Sequence, residues 1–162
     1  MSKRWRIGAV SYLNTRPFLL GIEQSGLIEQ IDLVKAYPSQ LAQSLIEDTI
    51  DIGLVPVAII PMLKEPYFIS DFCIGAEQEV ASVAIFSDVP MDQIEKVYLD
   101  HQSRTSVQLA RLMMKLYWEK EVEWIEADPD YIEKIGGTTA GVIIGDRALA
   151  AQNRFAYMYD LA

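Results

Sequence analysis

Short apolar runs separated by amphipathic helical patterns recur from end to end of the chain, and this alternation restricts it to an α/β architecture. Residues 5–10, 31–36, 52–57, 67–74, 80–86, 96–99, 122–126, 142–144 and 154–159 read as strands. Residues 17–23, 38–47, 58–63, 104–118, 129–135 and 146–151 read as helices between them. Pro17 suits the first turn of its helix, where a missing N–H costs nothing. Leu41, Ala42, Leu45 and Ile46 share one face of the second helix, and Val107, Ala110, Met114 and Tyr117 share one face of the longest. Asp146 is a natural N-cap. The Asp88-Val89-Pro90 turn marks a boundary, giving a first lobe over 1–87, a second over 88–153 and, over 154–162, a strand returning toward the first lobe.

No apolar run approaches the ~20 residues of a membrane span; 52–62 is interrupted by Pro56 and Pro61. The basic N-terminus is followed by Asn14 and Arg16 rather than by a long apolar stretch, so no secretory leader is expected. The single cysteine, Cys73, has no partner for a disulfide or a metal cage. It reads as a small buried hydrophobe, and the chain as cytoplasmic. Fourteen basic against 23 acidic residues leave a net charge of −9, which argues against a phosphate backbone as partner. An anionic small molecule is compatible with that charge only where the positive field is local, at a helix N-terminus or a few placed arginines.

Open α/β sheets bind ligands beyond the carboxyl ends of their strands. Three such junctions carry polar clusters: Ser11-Tyr12-Leu13-Asn14-Thr15-Arg16-Pro17, Asp100-His101-Gln102-Ser103-Arg104-Thr105-Ser106 and Gly145-Asp146-Arg147. In the second, Ser103 reads as an N-cap with Arg104, Thr105 and Ser106 in the first helical turn. Hydroxyls, backbone N–H groups and a guanidinium there make a socket for a carboxylate or phosphate. An ordinary capped helix with a solvent-facing arginine fits the same residues. Asn14 alone reads as a turn former, and Ser82 as a small residue within a strand. His101, the sole histidine, lies in a loop without a nucleophile motif and reads as solvated. Gly136-Gly137 is a turn and not a phosphate loop, because no Lys-Ser/Thr follows.

Five blocks occur in an order that resembles chorismate dehydratases of the futalosine route to menaquinone. They are Val10-Ser11-Tyr12-Leu13-Asn14-Thr15-Arg16-Pro17, Asp51-Ile52-Gly53-Leu54-Val55-Pro56-Val57-Ala58, Val80-Ala81-Ser82-Val83-Ala84-Ile85-Phe86-Ser87, Ser103-Arg104-Thr105-Ser106-Val107 and Ile144-Gly145-Asp146-Arg147-Ala148-Leu149. The resemblance implies two α/β lobes around a cleft, similar to type II periplasmic binding proteins. It also implies that chorismate loses water to give an enolpyruvyl ether of benzoate, a reaction expected to need no metal and no cofactor. Asn14 and Ser82 then fall at reacting positions, and Ser11, Arg16, Ser103, Arg104, Thr105, Ser106, Gly145 and Asp146 at substrate-binding ones. Chains of that family continue past Ala162, and the further part completes the first lobe, so an incomplete first lobe is expected here. A non-catalytic binding protein for a small carboxylate is the alternative from another class. The sibling dihydroxynaphthoate synthases begin with a different motif.

Overall fold

Six residues, Trp-Arg-Ile-Gly-Ala-Val, form β1 (Trp5–Val10), which becomes progressively buried toward its carboxyl end and centres the first sheet. A computed structural model of the chain describes residues 4–162. β1 pairs in parallel with β2 (Ile31–Ala36) on one side and β3 (Ile52–Gly53) on the other. Parallel neighbours require crossovers, and the helices α1 (Arg16–Gln24) and α2 (Pro38–Ile46) supply them. Pro38 opens α2, and Gln40 Oε1 accepts the Tyr37 N–H at 3.2 Å, satisfying a donor that the helix itself cannot.

Leu41 and Ala42 are fully buried beneath α2, and Leu41 packs with Val10 and Ile50 as the core of this sheet. Gly8 permits that approach: a Cβ there would lie 2.7 Å from Ile50 Cδ1 and 2.8 Å from Leu41 Cδ2. Asp51 fastens the start of β3 to β1. Its carboxylate accepts the Arg6 N–H at 2.9 Å and the Arg6 guanidinium at 2.8 and 3.1 Å, while Asp51 N–H donates to Arg6 O.

The chain divides into two units, one running to Tyr67 and the other Phe68–Ala162. The second holds a mixed five-stranded sheet in the order β6-β5-β7-β4-β8. Its strands are β4 (Val83–Ser87), β5 (Lys96–Leu99), β6 (Glu123–Glu126), β7 (Thr139–Ile144) and β8 (Tyr157–Asp160). β5 pairs in parallel with β6 and β7, whereas β4 runs antiparallel to both β7 and β8. Helices α3 (Thr105–Leu116) and α4 (Asp146–Ala151) follow β5 and β7. Phe86, Tyr131, Ile143 and Ala148 meet in the main core of the unit.

Several expected elements differ in the structure. The strand expected over 52–57 has two residues, because Pro56 offers no N–H and begins a 3-10 turn, Val57–Met62. Residues 67–74 form no strand: no described segment pairs with them, and Phe72 is 92% exposed. Cys73 is exposed, not buried. The segment expected over 129–135 is a 3-10 turn, Tyr131–Lys134. Tyr117 leaves the α3 core face because the helix ends at Leu116, and its ring instead meets Trp118 edge-on at 5.6 Å. β4, expected before the boundary at 87, sits inside the second unit's sheet, and β8 pairs with it there.

Truncating Leu41 leaves a cavity in a core with few other members. Leu41→Ala is expected to destabilise the first unit by about 2–5 kcal/mol. Hydrogen exchange of β1 and β2 amides checks this, and unchanged protection would contradict the packing described.

Candidate functional site

β5 alternates partly and fully buried residues, and its apolar run ends at Asp100, whose side chain is wholly buried. A carboxylate without water requires several donors. It receives the Gln102 N–H at 2.9 Å, the Ile144 N–H at 3.1 Å, the Tyr131 hydroxyl at 3.0 Å and Arg147 Nη2 at 2.6 and 2.8 Å. Tyr131 has one proton to donate and lies still nearer to Val142 O, at 2.7 Å. Asp100 thus ties together the ends of β5 and β7, the loop into α3 and the first turn of α4.

The loop held by Asp100 carries the 103–106 cluster. Ser103 N–H donates to Asp100 O at 3.2 Å, and Ser103 Oγ accepts the Ser106 N–H at 3.1 Å. Ser103 is therefore the capping side chain, as its residue type suggests. Helical geometry starts at Thr105, with Arg104 at the N-cap position, one residue later than the sequence pattern indicates. Ser103, Arg104, Thr105 and Ser106 are all half-buried. His101 is exposed, and its ring stands edge-on to Tyr131 at 6.4 Å.

Ser82 and Gly145 come together across the β4–β7 pair: Gly145 N–H donates to Ser82 O at 2.7 Å. Gly145 has φ +66° and ψ −148°, a conformation strongly disfavoured for any side chain. It is also the N-cap of α4, so Asp146 is the first helical residue rather than the cap. Asp146 is exposed, whereas Ser82 and Gly145 are half-buried. Ser82, the 103–106 turn and Gly145–Asp146 thus share one frame, joined through Asp100 and Arg147.

Ser11, Asn14 and Arg16 lie on the link from β1 to α1 in the first unit, and all three are exposed. Asn14 belongs to a 3-10 turn, Leu13–Thr15. The buried Thr15 donates its hydroxyl to Asn14 Oδ1 at 3.3 Å, which restrains the amide. Arg16 opens α1.

Among the described residues, no group of three or more His, Cys, Asp or Glu side chains could hold a metal ion. No described helix is long and apolar enough to cross a membrane.

Open α/β sheets bind small molecules at polar clusters beyond their strand ends, and the side chains presented there set the function. A family model described as "Menaquinone biosynthesis" matches residues 5–162, and the chain belongs to that family. Membership in a biosynthetic family makes its substrate a small molecule and supports an enzymatic role.

Sequence reasoning placed Asp100 and Arg147 inside polar clusters without a role for either, and passed over Tyr131 and Asp160. An acidic residue closing an apolar strand was the available signal for Asp100. Tyr131 has no comparable local signal, because its partners lie on β5 and β7.

Burial, with the Asp100 carboxylate beside it, pushes the Tyr131 phenol well above its ordinary value. The folded protein therefore favours the protonated phenol. That contribution is complete below the unfolded value of ~10 and is lost as pH rises beyond it. Tyr131→Phe is expected to make the alkaline fall in stability shallower and to cost about 1–2 kcal/mol at neutral pH. Urea melts at neutral and alkaline pH test this, and an equally steep alkaline fall in the variant would contradict it.

Proposed function

We propose that this protein is a carbon–oxygen lyase of the cytoplasm that removes water from chorismate on the way to menaquinone. In this reading it uses two lobes similar to those of type II periplasmic binding proteins. The observation that carries it is the run of five ordered blocks resembling chorismate dehydratases, in a chain that the menaquinone family covers over residues 5–162. The common frame holding Ser82, Ser103–Ser106 and Gly145 supports it, since a fixed geometry is what this reaction demands.

Chorismate carries two carboxylates, a ring hydroxyl and a hydrogen on the neighbouring, ether-bearing ring carbon. The electrons of that C–H bond form the new ring double bond as hydroxide leaves, and the released proton completes the water. The ring becomes aromatic, so the change is strongly downhill. Control lies in favouring this elimination over loss of pyruvate or Claisen rearrangement, and it comes from holding one geometry.

The matched positions offer no histidine, glutamate or lysine. The substrate's enolpyruvyl carboxylate takes the ring proton in this mechanism. Asn14 orients that side chain, and Ser82 hydrogen-bonds a reacting oxygen. Ser103, Arg104, Thr105 and Ser106 receive a carboxylate, with Ser11, Arg16, Gly145 and Asp146 completing the binding groups.

Incubation of the purified protein with chorismate is expected to yield the enolpyruvyl ether of 3-hydroxybenzoate. Binding of chorismate without that product would leave a carboxylate-binding protein instead. Asn14→Ala should reduce kcat far more than it raises KM, because its contact strengthens at the transition state. His101→Ala should stay within a few-fold of the parent, whereas loss of a general base costs ~100-fold or more. Collapse of His101→Ala with Asn14→Ala near normal would overturn the mechanism. Arg104→Ala should weaken substrate binding by about 1.5–3 kcal/mol, measured by calorimetry.

A further inference from the structure

The turn that leads into β4 has an alanine where the backbone favours glycine. Ala81 has φ +56°, in the left-handed region that an L side chain adopts only against resistance. Such a residue persists where its surroundings over-determine it. Here the surroundings are visible. Asp160, the last residue of β8, accepts the Val80 N–H at 3.1 Å and the Ala81 N–H at 2.6 Å on one oxygen, Oδ2. Its other oxygen accepts the Ala162 N–H at 2.8 Å. Gln152 Nε2 donates to Ala81 O at 3.3 Å, and the next carbonyl, of Ser82, accepts the Gly145 N–H.

Two consecutive amides turned onto one carboxylate oxygen fix the two peptide planes that lead into Ala81, and Gln152 holds the carbonyl of the next, which joins Ala81 to Ser82. β8 cannot slide to relax them, because Asp160 stands opposite Ala84 in the sheet and Leu161 N–H donates to Val83 O at 2.9 Å. The strained turn therefore determines where the backbone of Ser82 sits, and with it the range open to the hydroxyl.

We propose that Asp160 is a positioning residue for Ser82, holding the Val80-Ala81 turn with Ala81 left-handed, so that the serine is presented in its reacting orientation. This rests on the chorismate dehydratase reading for the role of Ser82, but the coupling between Asp160 and the turn does not.

The test combines Asp160→Ala, Asp160→Asn and Ala81→Gly, singly and with Asp160→Ala paired with Ala81→Gly, in turnover of chorismate and in amide exchange. Asp160→Ala is expected to lower kcat at least tenfold with KM within about threefold, since small misplacements of a reacting group cost up to ~100-fold. Asp160→Asn, whose amide oxygen still accepts, should lose less. Ala81→Gly removes the resistance to positive φ and should recover part of kcat in the Asp160→Ala background. Amide exchange at 80 and 81 should quicken in Asp160→Ala, and the Ser82 amide resonance should move. Unchanged kcat in a folded Asp160→Ala variant, or equal losses with and without glycine at 81, would overturn the proposal. Should Asp160→Ala fail to fold, the loss in Asp160→Asn and its exchange at 80 and 81 decide. A parent inactive on chorismate would defeat the functional reading alone. Quickened exchange with a shifted Ser82 resonance would then uphold the positioning, and unchanged spectra would refute it.

Discussion

The buried carboxylate of Asp100 is the constraint on which the second unit depends. It lies where β5 ends, and its donors come from four separate places in the chain: its own loop, the Tyr131 turn, the end of β7 and the start of α4. A buried charge gives little net stability when well partnered, but removing one partner is expensive. The arrangement therefore does more for uniqueness than for strength. It allows only one way for β5, β7 and α4 to meet, and the polar turn at 103–106 inherits its place from that agreement.

The same device recurs with different partners. Asp51 takes the Arg6 N–H and guanidinium and fixes β3 against β1. Asp160 takes the N–H groups of residues 80 and 81. In each case an acidic side chain at a strand end satisfies backbone donors that the ladder leaves open. Part of the chain's acidic excess is thus spoken for by its own backbone. A net charge of −9 and an anionic substrate are compatible on those terms, because the field at a site is set by local N–H groups and arginines rather than by the total.

Where the sequence pattern was long and tied to one buried face, it located the elements closely. β1 and β2 fall on their apolar runs, α2 on the Leu41-Ala42 face, and α3 on Ala110 and Met114. Errors arose where a run was apolar but its partner was elsewhere. Residues 67–74 have strand composition, and no described segment pairs with them. β4 precedes the Asp88-Val89-Pro90 turn, yet it pairs antiparallel with β7 and β8 from late in the chain, a long-range pairing that no local pattern encodes. The polar clusters at strand ends were visible because open α/β sheets place function there. The residues that brace them were not, since Asp100, Tyr131 and Asp160 differ from ordinary polar residues only in what they face.

β4 is flanked by two strands that both follow it late in the chain, β7 and β8, and all but its first residue are buried. During synthesis it leaves the ribosome with both edges unpaired, long before either neighbour exists. The second unit's sheet consequently closes as a late event, with high contact order and slow assembly. Until then an apolar strand with two open ladders is available to the wrong partner, so the nascent chain has a defined interval of aggregation risk between the emergence of β4 and that of β8.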